Sequence, residues 1–302
     1  MNVSHLSPRR GLVSVRRPAG LFGAVVAVAL AAVPAASADE AATFERLMSS
    51  HAASVVTLKF VLKVKSPQGE REGEAEATGV MIDPKGLVLC ASTEIGGLTG
   101  ATQRMLQQQG REISITPTNI KVLVGDDSEG VEARLLTRDT DLDLAWIQIK
   151  DEPKQAYRCV DMARAVTPRP GQRIYAVRRM DKYYDRATVI SEGWIAGQVR
   201  RPRDLYVPGG TISSALGLPV FHADGNPVGI LITQSPDEDE RAGRGTLTPV
   251  ILPGPEVLKA TERARASAAA GKPADDADED DDAPPAKPAG PGGKDSDSSS
   301  DD

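Results

Sequence analysis

Residues 210–233 read GTISSALGLPVFHADGNPVGILIT. Two short apolar runs, 218–221 and 228–233, flank HADGNP, where Asp, Gly, Asn and Pro supply the backbone angles of a tight reversal. Runs this short on either side of such a turn form a β-hairpin, not a helix. The same grammar recurs upstream. GVMIDPKGLVLC at 79–90 places two apolar runs around Asp83-Pro84-Lys85-Gly86. VVTLKFVLKV, from Val55, is rich in β-branched residues. Further strands are expected at 121–124, 131–137, 143–149, 172–177, 187–199 and 246–251, most of them separated by turn signals. Nine or more short strands with few helical stretches describe an all-β sandwich or barrel. Phe44, Leu47 and Met48 lie at helical spacing, so a short amphipathic helix leads in over 39–54. A second helix closes the domain at 255–266. Residues 97–119 read as a long connection with a short helix near 103–109, and no internal repeat is visible.

The ends differ from this body. Arg9, Arg10, Arg16 and Arg17 precede an apolar run at 21–35 and the small residues Ala36-Ser37-Ala38. This is the layout of a signal peptide of the general secretory route, cleaved after Ala38, which leaves no stable membrane span. Residues 271–302 hold 11 acids and 3 lysines, with no aliphatic residue larger than alanine. Such a segment cannot bury enough apolar surface to order itself, so a disordered acidic tail is expected. The chain carries −6; the signal contributes +4 and the tail −8, leaving −2 on residues 39–270. A near-neutral body gives nucleic acid no purchase. Cys90 and Cys159 are the two cysteines, and a bridge between them and a pair of free thiols are both open. No His/Cys/carboxylate cluster has metal-ligand spacing, so neither metal nor cofactor is expected.

In series, the segments resemble the protease domain of HtrA-type (DegP-like) serine proteases, whose trypsin fold consists of two six-stranded barrels. SVVTLKF is similar to the family's opening strand. ATGVMIDPKGLVLCASTEIGG (77–97) is similar to the hairpin that leads to its histidine, and VEARLLTRDTDLDLAWIQI (131–149) to its aspartate strand. PGQRIYAV and ATVISEGWIAGQV resemble the first strands of the second barrel. SALGLPVFHADGNPVGILIT resembles the nucleophile loop and the hairpin after it, and GTLTPVILPGPEVLKATERA the last strand and closing helix. The resemblance implies an all-β double barrel over 39–270, with barrels at about 55–150 and 170–252. No peptide-binding PDZ module is expected after it.

The family's chemistry needs a serine to attack, a histidine to take its proton and an aspartate to orient the histidine. Carried over residue by residue, the histidine position falls on Thr93, the aspartate on Asp143 and the serine on Leu216. The histidines are His5 in the signal, His51 in the leading helix and His222 in a hairpin turn. Ser213 and Ser214 precede Leu216 without an evident base, and Leu218 stands where the family has glycine. No catalytic set is intact, and Asp143 reads as a structural strand-end carboxylate. The expected function is that of an exported, inactive protease homologue that binds a peptide or protein at a cleft near Leu216, Gly217 and Leu218. An active peptidase with a displaced nucleophile or base, and a structural envelope scaffold, are the alternatives. The acidic loop at 234–244 reads either as a selector of basic ligands or as a solvated surface loop.

Overall fold

A computed structural model describes residues 35–111, 113–125, 127–201, 203–234 and 248–271. The expected signal peptide through residue 34, the acidic loop beyond Gln234 and the acidic tail from 272 lie outside the described residues. The described residues from Thr43 onward form one compact unit.

Among the described residues, twelve strands make two closed barrels with one strand order. The first runs β1-β2-β3-β6-β5-β4, with β1 Val55–Ser66, β2 Gly69–Asp83, β3 Leu87–Ala91, β4 Ser114–Leu123, β5 Val131–Asp139 and β6 Leu144–Ile149. The second runs β7-β8-β9-β12-β11-β10, with β7 Arg173–Arg179, β8 Thr188–Val199, β9 Leu205–Gly210, β10 Pro219–His222, β11 Pro227–Gln234 and β12 Thr248–Pro253. Helix α1 spans Ala35–His51, α2 Gly100–Gln108 and α3 Gly254–Ala269. The expected trypsin-like all-β fold is therefore present. The leading helix buries Leu47 and packs Phe44 and Met48 against the core, as their spacing predicted. Its described start at Ala35 lies ahead of the expected cleavage bond.

The continuous apolar runs follow from strands that serve two cores. Every residue of β3 is buried. Alternation sends Val88 and Cys90 into the first barrel, while Leu87 and Leu89 join a second cluster that runs between the barrels and fills the second. In β6, Ala145, Ile147 and Ile149 face inward, and Leu144 and Trp146 face the seam. Helix α3 covers this seam: the Trp146 indole donates to Thr261 Oγ1 at 3.1 Å, and Thr261 in turn donates to the Val257 carbonyl at 2.8 Å. Full burial of each such side chain contributes about 1.5–3 kcal/mol. Second-barrel arginines clasp the first barrel. Arg186 forks onto Glu76, and Arg179 Nε donates to the Val55 carbonyl at 2.7 Å.

Three strands depart from the sequence reading. β2 starts at Gly69, ten residues before the expected hairpin, because its charged GEREGEAE stretch pairs along β1 with its acids facing outward. Lys63 meets Glu72 there at 2.7 Å. β4 starts at Ser114, inside the expected connection; its Pro117 pairs with Leu62 next to a register shift, where the ladder tolerates a missing N–H. β9 was not foreseen, since LYVPGG carries both proline and glycines.

Candidate functional site

β3 ends at Ala91, and a single 3-10 turn, Thr93–Ile95, follows it. β6 begins just after Asp143, whose backbone is left-handed at φ 51°, a conformation Asp tolerates better than most residues. That kink turns a carboxylate that is only 4% exposed toward β3. The Ser92 N–H donates to the Asp143 carbonyl at 3.0 Å. The Thr93 N–H donates to Oδ1 at 2.9 Å and the Thr93 hydroxyl to Oδ2 at 3.1 Å. A third donor comes from the other barrel: the Thr233 hydroxyl on β11 reaches Oδ2 at 2.9 Å. Beside it, Gln234 Nε2 donates to the Asp141 carbonyl at 2.7 Å. Asp143 is thus a fully satisfied knot between the barrels, with the Thr93 hydroxyl on one of its oxygens.

The loop from 211 to 218 meets this knot from the second barrel. Thr211–Ser214 form a turn, and the Leu218 N–H closes on the Ala215 carbonyl at 3.1 Å. The Gly217 N–H donates to Leu231 at 2.7 Å, and the Leu231 N–H returns to Leu218 at 3.0 Å, so the loop ends as an extra rung on β11. Gly217 is left-handed at φ 72°, and a Cβ there would stand 2.2 Å from the Ala91 backbone nitrogen. Only glycine lets the loop rest on the end of β3. Leu218 is 2% exposed and Ala215 is fully buried, while Leu216 packs half-buried against the seam cluster. Ser213 and Ser214 are exposed, with Ser214 Oγ donating to the Thr211 carbonyl at 3.3 Å. Thr93, Asp143 and the Leu216 loop therefore meet at one seam.

Two neighbours of this site were not singled out from sequence. Thr233 sits at the end of an apolar strand, where nothing marks it as a donor across the barrels. Glu94 follows Thr93 and reaches solvent, yet partial desolvation and then the Asp143 charge hold its carboxyl above the ordinary range.

The two described histidines lie elsewhere. His222 ends β10, about 13 Å of strand from the Leu216 loop at ~3.3 Å per residue, and its Nδ1 faces Asp224 Oδ1 at 3.2 Å. His51 stacks on Phe221 at 3.9 Å and donates from Nε2 to the Gly225 carbonyl at 3.0 Å. Burial lowers the His51 pKa below 6.5, and the Gly225 hydrogen bond only partly opposes this. The unfolded chain therefore takes up the proton first. Stability should be unaffected by this group above about pH 6.5 and should fall as pH drops below it. Melts of the parent and His51→Phe, which keeps the ring stack, should show the parent losing Tm more steeply toward pH 5; equal slopes would refute this. Both cysteines are free. Cys90 opposes Gly79 deep in the first barrel, where burial pushes its thiol far up, while Cys159 lies in the linker near Asp83, which opposes Leu87 at the hairpin's other end. The neighbouring Val160 bonds to Met81 of β2, which opposes Val88, so Cys159 lies along the outside of β2 while Cys90 points into the barrel from β3, and the two thiols are not joined.

A sequence profile of the trypsin-like peptidase domain matches residues 77–230, from the glycine-led hairpin of the first barrel into β11 of the second. The chain belongs to the trypsin-like peptidase family. Among solved trypsin-like structures it is similar to the protease domain of MamO from Magnetospirillum magneticum in its apo form. That match has 16% identity and a TM-score of 0.43, over 70% of this chain and 97% of the other. It is also similar to Deg5, with 19% identity and a TM-score of 0.48 over 73% and 92%. No curated protein matches it in sequence. Among the described residues of this trypsin-like chain no helix is long and apolar enough to cross a membrane.

Proposed function

We propose that this chain is an exported trypsin-like protein that has lost catalysis and works by binding. The observation that carries the reading is the state of Asp143. In a working triad the aspartate accepts the imidazole N–H that holds the base in its tautomer. Here that carboxylate takes its hydrogen bonds from Thr93 and Thr233, and threonine has no ring nitrogen with which to receive a proton. At the loop, Leu216 has no atom that can attack a carbonyl, and buried Leu218 fills space beside it.

Binding needs none of these groups. An extended peptide can add to a strand edge through main-chain hydrogen bonds. Among the described residues, β11 pairs on both sides at Leu231 but only with β12 from Ile232 to Gln234. The free side of β11 from Ile232 to Gln234, beside the Asp143 knot, is where a peptide would lie. A structural scaffold is the competing reading, favoured by the tight rest of Gly217 on β3, which leaves little freedom at the loop.

The test is to recover the protein from outside the cytoplasm, read its N-terminus, and expose it to a fluorophosphonate serine probe, a cleavable peptide library and the same library in a binding format. A start at Asp39, no labelling, no cleavage and capture of a peptide subset is the expected result. Labelling at Ser213 or Ser214 would overturn the inactive reading, and an empty binding screen would leave the scaffold.

A further inference from the structure

The tip of the β8–β9 hairpin, residues 200–204, reads RRPRD, with Arg200, Arg201 and Arg203 against the lone acid Asp204. Arg200 and Arg201 are exposed, and among the described residues no acid pairs with any of the three arginines. The surrounding stretch is as lopsided: residues 164–203 hold ten basic and three acidic side chains in a chain whose net charge is −6. On the same strand Trp194 is 50% exposed and Val199 38%. The indole lies flat across Gly209, where a Cβ would stand 2.5 Å from Nε1. Arginines on the same hairpin as an exposed tryptophan, six residues or about 20 Å along β8 from Arg200, make an elongated surface with the composition of an interface, and the sign of the charge calls for an anionic occupant that is itself extended.

The chain carries such an occupant. Residues 275–282 read DDADEDDD, seven acids in eight positions. β12 pairs with β9 antiparallel at Ile251 and Tyr206, so the end of β12 and the start of α3 lie beside the hairpin tip. α3 then carries the chain away by about 24 Å at ~1.5 Å per residue. At about 3.5 Å per extended residue, the acidic run begins ~20 Å and ends ~45 Å beyond the helix, enough to come back to the tip. We propose that residues 275–282 dock on the arginine tip of the β8–β9 hairpin, over Trp194, and that an acidic peptide partner competes for the same surface.

Trp194 is the natural reporter, because the only other tryptophan, Trp146, is 1% exposed. Acrylamide quenching is compared between the full chain and a full-length variant in which the aspartates of 275–282 become Asn and Glu279 becomes Gln. The parent should be protected and the variant should lose that protection. A synthetic peptide of residues 271–302, added to the neutralised variant, should restore it, bind about tenfold more weakly after R200E/R201E/R203E, and dissociate as salt approaches about 0.5 M. Equal quenching in parent and variant, with no effect of the peptide, overturns the proposal. So does parental protection that grows with protein concentration, which would place the tail on a second copy. Binding of the neutralised variant to phosphatidylglycerol vesicles without competition from the peptide overturns it too, and makes the patch a lipid-facing surface.

Discussion

Asp143→Ala is expected to cost about 3–5 kcal/mol and to leave fluorophosphonate labelling unchanged. The Thr93 N–H and hydroxyl and the Thr233 hydroxyl would all lose the buried carboxylate that accepts from them, and each orphaned group costs about 1–3 kcal/mol, less what water recovers at the exposed Thr93. Asp143→Asn should be far milder, about 1 kcal/mol, because the amide oxygen keeps the Thr93 N–H while either hydroxyl can turn to accept from the amide. A catalytic aspartate behaves the opposite way, since the Asn change spares the fold but inverts the tautomer of the base. Denaturant titration of both variants beside the parent separates the two roles. Near-neutral stability for the Ala variant would remove the structural account of this carboxylate.

Trp146→Ala should be at least as damaging, at about 3–5 kcal/mol. The indole is 1% exposed, packs at the seam, and ties β6 to α3 through Thr261. Trp146→Phe keeps most of the buried surface and should lose nearer 1–2 kcal/mol, leaving the Thr261 hydroxyl still bonded to Val257. Thr261→Val added to Trp146→Phe should then cost little more than Trp146→Phe alone, because the two changes share one hydrogen bond. Chemical denaturation read by circular dichroism measures all of these; fully additive costs would show that α3 does not dock through this pair.

Which parts of the molecule were legible depended on which physics each residue obeyed. β3 and β6 were plain because both of their faces are buried, so LVLC runs apolar without a break and LAWIQI is interrupted only by the half-buried Gln148. β2 was half hidden because only its C-terminal part is buried, while GEREGE faces water and alternates charge with the lysines of β1. β9 was invisible, since its Pro208, Gly209 and Gly210 look like a turn and become a strand only because β8 lies along them. The matching strand order of the barrels left no trace of a repeat, as topology constrains burial pattern and not residue identity. At the site, Thr93, Asp143 and Leu216 could be located by resemblance, but Thr233 could not: its role depends on β11 crossing the seam, which no local pattern encodes. The absence of a Cys90–Cys159 bridge likewise rests on hairpin register, a three-dimensional quantity.

Closure of both barrels also bears on how the protein behaves in a crowded compartment. A sheet with open sides offers unpaired main-chain groups to any similar chain, and that is the usual seed of ordered aggregates. Here β4 returns to β1 and β10 to β7, so each sheet consumes its own margins. Closure thus leaves a neighbour stretches such as β11 from Ile232 to Gln234, and not a whole free strand edge, to extend, while contacts made through the exposed Tyr183, Tyr184 and Trp194 are side-chain contacts, reversible on dilution.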